Sequence, residues 1–493
     1  MKTIVLDDSN RVDFKNNVDS CVGTGRLGLA LTQEYLEELE FVQKEIGFDF
    51  IRGHGLFSDD VSIYHEYLED GQTKVEYNYT YIDRIVDKYL ELGIKPYLEL
   101  GFMPEKMARG TQTIFYWKGN TTPPINYSMW TDMVVALLKH LRSRYGEDVL
   151  EWPIEVWNEP NLPGFWEHAD MQEYFKLFKK TFLAIKAYEP KFKVGGPAVC
   201  GVKEEVWIRS FLEFCIENGL QPDYITRHHY TVEMPNRVGH YDYHKLEDSK
   251  MRIENLRKTQ ELVDSFEEFR GTPIHITEFN TSYTPRGVIH DTNLNAAYLA
   301  GQLAYLGDVS DLYSYWTFGD VFEEEGVPFS LFHGGFGMVA AGCIPKPTFW
   351  TFAFFKELKR AGDNCIWRDD NSVVIKRGDK YVGILWNSSA DTKELTLEFP
   401  CAESEYTLIT KTVDEETCNP LKIWHDLGEP AYPSKEEVKL IKSSAYPLIT
   451  TEIKTASAEI VAADFSLKKN GVVFFELKPR TQISDRGYHY ERL

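Results

Sequence analysis

The strongest constraint on this chain is a change of hydrophobic period that repeats along residues 30–360. Stretches with apolar residues at helical spacing alternate with apolar runs too short to be helices. Residues 32–46 set Leu36, Leu39, Phe41, Val42 and Ile46 at helical spacing and stop at Gly47, a residue suited to the turn that ends a helix. A strand at 48–52 follows. The succession recurs as helices 79–92, 130–145, 171–188, 205–217, 251–269, 294–306 and 349–358. The strands between them are 95–100, 152–157, 192–194, 224–229, 274–278 and 312–318. A further strand at 20–25 makes eight. Eight βα units predict an α/β fold, a (β/α)8 TIM barrel with enlarged loops. A doubly wound sheet also alternates this way, but no Gly-x-Gly-x-x-Gly follows the first strand.

Beyond residue 360 short strand-like runs alternate with turn signals such as Arg377-Gly378-Asp379 and Lys469-Asn470-Gly471. These predict a C-terminal antiparallel β-sandwich. The expected division is a catalytic barrel over 14–345 and a sandwich over 346–493, joined by a strand from residues 1–13 that comes too early for the barrel.

Charge and composition exclude several classes. The net charge is −22, which argues against nucleic acid and against anionic membranes. No apolar run approaches the roughly 18 residues of a membrane span. The opening Met1-Lys2-Thr3-Ile4-Val5-Leu6-Asp7 has too short an apolar stretch for a signal peptide. Seven cysteines, an odd number without a Cys-x-x-Cys pair, fit reduced thiols, so a cytoplasmic location is expected, with no metal and no cofactor. The 11 Trp, 28 Tyr and 30 Phe can stack on sugar rings, although they can equally fill a core.

In a barrel of this kind chemistry belongs at the C-terminal ends of the strands. The fourth strand ends Glu155-Val156-Trp157-Asn158-Glu159-Pro160. Period two puts Glu155, Trp157 and Glu159 on one face and Val156 and Asn158 on the other. The seventh ends Thr277-Glu278-Phe279-Asn280 at the same height. Two carboxylates facing each other across a sugar are what glycoside cleavage needs. One, kept neutral, protonates the leaving oxygen, and the other, ionised, attacks C1. A gap of about 5–5.5 Å gives retention of configuration and a wider one inversion. A lone Glu is more often a structural carboxylate, and it is the pair at matching strand ends that carries the reading. Like charge from Glu278 and partial burial are expected to raise the pKa of Glu159.

These residues, with Ile51-Arg52-Gly53-His54-Gly55, Phe115-Tyr116-Trp117, Thr226 to Tyr230, Ser314-Tyr315-Trp316 and Phe332-His333-Gly334-Gly335, resemble glycoside hydrolase family 39, closest to its bacterial β-xylosidases. The matches run in order over about residues 50–340. The resemblance implies a retaining exo-β-D-xylosidase acting on xylo-oligosaccharides, with Glu159 as acid/base and Glu278 as nucleophile. It further implies Asn158 on the sugar 2-hydroxyl, Tyr230 on the nucleophile, and His54 and His228 on sugar hydroxyls. Trp316 becomes a platform under the sugar. Glu323 or Glu324 grips outer hydroxyls, and Tyr283 is a candidate for the rim. A homo-oligomer, a tetramer, is expected by the same resemblance, with the sandwich and the 486–493 end as contacts.

Each residue also has a plain structural reading. His54 could be a satisfied core histidine. Trp316 could be core, Tyr283 could be loop packing, and Glu323-Glu324-Glu325 could be a solvated acidic run. His228-His229 lacks the further ligands of a zinc or iron site. The alternatives in function are a β-glucosidase, α-L-arabinosidase or α-L-iduronidase of the same family, or a sugar-binding barrel without catalysis. No basic groups are placed for a uronate.

Overall fold

The computed structural model describes residues 2–481 and 488–492. Of the 486–493 end named above, residues 486, 487 and 493 lie outside the described residues. Eight parallel strands close into a barrel in sequence order: β1 Cys21–Arg26, β2 Phe50–His54, β3 Lys95–Leu100, β4 Ile154–Val156, β5 Val194–Val199, β6 Tyr224–Tyr230, β7 Ile274–Asn280 and β8 Leu312–Tyr315. The helices α1 Gln33–Glu45, α2 Thr80–Glu91, α3 Tyr127–Tyr145, α4 Met171–Tyr188, α5 Glu204–Glu217, α6 Ser249–Asp264, α7 Asn293–Leu306 and α8 Pro347–Ala361 alternate with them. The (β/α)8 barrel predicted from the alternating periods is therefore the observed fold.

The fifth strand is Val194–Val199, later than the predicted 192–194, because its Val194-Gly195-Gly196-Pro197 run reads as a breaker. The glycines are there for packing. A Cβ on Gly195 would lie 2.2 Å from the Tyr224 ring, whose hydroxyl donates to the Ile154 carbonyl at 2.8 Å. Helix α8 begins after the expected boundary at 345, yet Phe352 meets Phe279 of β7 at 6.2 Å and Tyr315 of β8 at 4.9 Å between ring centroids.

The C-terminal part has β9 Cys365–Asp369, β10 Ser372–Arg377, β11 Lys380–Asn387, β12 Lys393–Pro400, β13 Glu405–Val413, β14 Leu448–Thr455, β15 Ile460–Leu467 and β16 Gly471–Pro479. One sheet runs β9-β10-β11-β16-β13-β14. In the other, strand Lys2–Val5 pairs in parallel with β12, which is antiparallel to β15. Ile4 and Leu6 enter the same core as Leu397, Phe399 and Phe475. Strand β14 has no apolar alternation because it is an exposed edge, and for that reason it is invisible to a periodicity reading. The sandwich leans on the barrel through α8, where Phe354 meets Phe474 at 5.5 Å.

The loops after the strand ends are the long ones. After β2 comes a hairpin, Tyr64–Glu69 with Gln72–Tyr77. After β6 comes Asn236–Val238 with Tyr241–Tyr243. Residues 316–338 after β8 carry no helix or long strand. Together they wall one end of the barrel.

Candidate active site

A cavity of about 590 Å³ opens at the strand ends, lined by the segments after β4, β5, β6, β7 and β8. Glu159, Glu278, Asn158, His54, His228, Tyr230, Trp316, Glu324 and Tyr283 all line it, and Glu323 does not.

Strand β7 delivers Glu278 opposite His228 in register with β6. Its carboxylate is held from two sides. Arg52 Nη1 donates to Oε1 at 2.8 Å, and the Tyr230 hydroxyl donates to Oε2 at 2.7 Å. Arg52 also donates through Nε to Glu155 Oε2 at 2.6 Å and through Nη2 to Asn158 Oδ1 at 2.8 Å. Its Nη2 lies 2.9 Å from Glu99 Oε2. This arginine is fully buried. Burial disfavours its charge, and the surrounding carboxylates, Glu155 first, more than reverse that and hold its pKa well above the usual value. Sequence reasoning missed Arg52, although the signal was present: it stands two residues before His54 on the same strand, so period two aims both inward.

Strand β4 is only three residues long, and the expected alternation breaks after it. Trp157 and Glu159 take left-handed φ values of 75° and 43°. The Glu159 N–H is captured by the Ala198 carbonyl at 2.9 Å. The result places Asn158 and Glu159, neighbours in sequence, together at the cavity. Trp157 turns away, donating from its indole to the Phe165 carbonyl at 2.7 Å. The expectation that Trp157 shares a face with Glu159 and that Asn158 lies opposite is corrected by this kink.

Glu159 has no arginine of its own. Oε1 lies 2.7 Å from His228 Nδ1. Burial pushes its pKa up to about 7, Glu99 adds to the rise, and His54 and Arg52 oppose it. The like charge acting on it is thus Glu99, where the sequence reading expected Glu278, and burial is the larger cause. Burial also pushes His228 down to about 4, so the imidazole beside Glu159 is neutral. One carboxyl in this cavity therefore keeps its proton near neutrality, while the other is clamped by a cation and a phenol.

One oxygen of Glu159, one nitrogen of His228 and one oxygen of Glu278 lie within 4.8 Å of one another. That spacing matches the narrow carboxylate separation of about 5–5.5 Å that leaves no room for water between sugar and nucleophile. The three groups could also approach a cation, but the Arg52 guanidinium already in contact with Glu278 repels one. His229 plays no part: its Nε2 lies 2.9 Å from Gln302 Oε1, on the opposite side of the strand.

His54 Nδ1 lies 2.8 Å from Glu99 Oε2, and its ring meets Trp316 at 4.6 Å. Trp316 covers Gly23, where a Cβ would stand 2.4 Å from the indole, so the position of the ring depends on that glycine. Tyr283 stands at the rim, edge-on to Tyr230 at 6.3 Å. Glu324 enters the cavity, and burial holds its pKa well above the usual range. Glu323 instead faces Arg26, at 2.5 Å, so of the two carboxylates left open by sequence, only Glu324 reaches the cavity.

The profile of Glycosyl hydrolases family 39 matches residues 1–459. A β-xylosidase of Geobacillus stearothermophilus is 46% identical over 500 residues, covering 99% of this chain and 97% of that one. A β-xylosidase of Caldicellulosiruptor saccharolyticus is 33% identical over 473 residues, covering 93% of this chain and 94% of that one. Among solved structures, a monomeric β-xylosidase from Caulobacter crescentus CB15 superposes with a TM-score of 0.88 at 31% identity, over 98% of this chain and 100% of that one.

Replacing Arg52 by Met removes the common partner of three buried carboxylates. The expected loss is about 3–5 kcal/mol of folding stability, measured by urea unfolding, with Arg52→Lys intermediate because an ammonium keeps the charge without the fork.

Proposed function

The chain belongs to family 39 of the glycosyl hydrolases, and from that premise we propose that this cavity hydrolyses β-D-xylosides with retention, releasing xylose from xylo-oligosaccharides. The observation that carries the reading is the close pair Glu159 and Glu278 with opposite protonation environments.

The reaction follows from that pair. Glu159, protonated, gives its proton to the glycosidic oxygen as a Glu278 oxygen attacks C1. The C1–O bond breaks and a glycosyl ester forms. Esterification neutralises Glu278 as Glu159, having given up its proton, takes on the negative charge. Glu159, now ionised, accepts a proton from water, the water oxygen attacks C1, and Glu278 leaves as the carboxylate held by Arg52 and Tyr230. Asn158 Oδ1 is occupied by Arg52, which leaves its amide N–H groups to donate to the sugar 2-hydroxyl. His54, His228 and Glu324 offer polar groups to the remaining hydroxyls. Trp316 supplies the apolar face.

Among the residues lining the cavity the only arginine or lysine is Arg252, and its guanidinium is already used: Nη1 lies 3.0 Å from Glu247 Oε2, and Nη2 donates to the Tyr230 carbonyl at 2.7 Å. A uronate carboxylate would therefore enter the cavity with no free cation to pair it, which favours a neutral sugar over an iduronide. Nitrophenyl β-D-xyloside is therefore expected to be cleaved faster than the corresponding α-L-iduronide.

No helix among the described residues is long and apolar enough to cross a membrane. We place the protein in the cytoplasm, a reading supported by seven unpaired cysteines. We also propose a homotetramer. Edge strand β14 exposes Ile449 and Ile453 at 63% and 52%, an apolar edge that another subunit would cover. Light scattering should return four times the chain mass, and a single-chain mass ends that proposal.

Azide added to Glu278→Ala should yield the inverted α-xylosyl azide, and azide added to Glu159→Ala the retained β-azide. The reverse pattern exchanges the two roles. Because Glu159 must hold its proton for the first step and its pKa is pushed up to about 7, kcat/KM for an unactivated xyloside should fall as pH rises through about 7. That limb should vanish for a dinitrophenyl xyloside, whose leaving group needs no proton.

A further inference from the structure

The run Glu323-Glu324-Glu325 lies in a segment without regular structure between β8 and α8. The base of the segment is closed. Asp320 Oδ1 accepts from the Gly337 N–H at 2.8 Å, and its Oδ2 lies 2.7 Å from the buried Lys346 Nζ. Its tip is tied by three consecutive residues to three different walls of the mouth. Glu323 Oε2 accepts from Arg26 Nη2 at 2.5 Å, at the end of β1, and the same guanidinium donates to Asp60 Oδ2 at 2.5 Å. The Glu324 carbonyl accepts from the Tyr116 N–H at 2.7 Å, from the loop after β3. Glu325 pairs with Arg286 on the loop after β7.

Glu324 is the odd member. Among the described residues its carboxyl makes no hydrogen bond, and it lies 4.0 Å from His54 Nε2 inside the cavity. A largely buried carboxyl without a hydrogen-bond partner gains by turning to water. No strand ladder resists that turn, so the Tyr116 bond to the Glu324 carbonyl and the side-chain pairs on either side must.

Resting on the reading of the cavity as a β-xyloside site, we propose that Arg26 and Arg286 are positioning residues for substrate recognition: by holding Glu323 and Glu325 they set Glu324 against the xylose hydroxyls remote from C1. Neither arginine lines the cavity. Both pairs are partly exposed, so added salt weakens the hold.

The test uses the full-length enzyme with Arg26→Ala and Arg286→Ala, each alone and combined with Glu324→Gln. Ki for D-xylose is measured together with KM and kcat for 4-nitrophenyl β-D-xyloside. Each arginine variant should raise Ki and KM about tenfold, with a smaller change in kcat. In the Glu324→Gln background the same substitutions should change Ki by less than about twofold, because their target is gone. Arg286→Lys should restore most of the affinity. Should an alanine variant fail to fold, Glu323→Gln and Glu325→Gln weaken the same pairs while keeping the arginines and carry the same expectation. No rise in Ki, or an equal rise in both backgrounds, overturns the positioning role. A wild-type enzyme that neither cleaves the xyloside nor binds xylose overturns the functional reading as well, whereas an active wild type with unaffected variants overturns the positioning role alone.

Discussion

One buried guanidinium holds the site together. Arg52 reaches Glu99 from β3, Glu155 from β4 and Glu278 from β7, and it fixes Asn158 at the end of β4. Three carboxylates cannot be taken out of water without a cation among them, and a cation cannot be buried there without them. The requirement is mutual, so the four strands are tied at one level of the barrel. Thr277 adds a donor to Glu155 Oε1 at 2.8 Å, and Tyr230 adds one to Glu278. The orientation of the proposed nucleophile is therefore a consequence of how the barrel interior satisfies its charges.

The same arrangement separates the two proposed catalytic carboxyls. Glu278 shares the arginine, whereas Glu159 faces a histidine that burial keeps neutral. Burial then outweighs His54 and Arg52 at Glu159 and pushes its pKa up to about 7. Two glutamates at strand ends meet opposite protonation environments because one strand end lies beside the cation and the other does not.

Around this pair the loops do different work from the strands. Trp316 lies against Gly23, and Glu324 enters from a segment with no ladder of its own. Strands provide fixed height and direction. The loop after β8 borrows its fixity from arginines on two other walls. A site assembled in this way combines a charged floor set by strands with a rim built from loops.

Much of this was legible in the chain because it depends on local period. The alternation of helical and strand spacing determined the eight-stranded barrel, and the ends of the fourth and seventh strands determined which glutamates could meet. What period could not decide was everything that depends on a break in it or on distant partners. The fifth strand hid behind Gly195-Gly196-Pro197 because Gly195 answers to the Tyr224 ring and Gly196 to Tyr174 and Phe178 of α4, contacts between distant elements. The kink at Trp157 and Glu159 reversed the expected faces, because the Ala198 carbonyl captures the Glu159 N–H. Arg52 could be placed inward from sequence, but its three partners come from three other strands, and only closure of the barrel brings them within reach. That Glu324 and not Glu323 reaches the cavity goes with the pairing of Glu323 to Arg26, nearly three hundred positions away. Sequence determines what a residue can do and which way its strand points it; tertiary structure decides which charges are left without water, and that is where the chemistry arises.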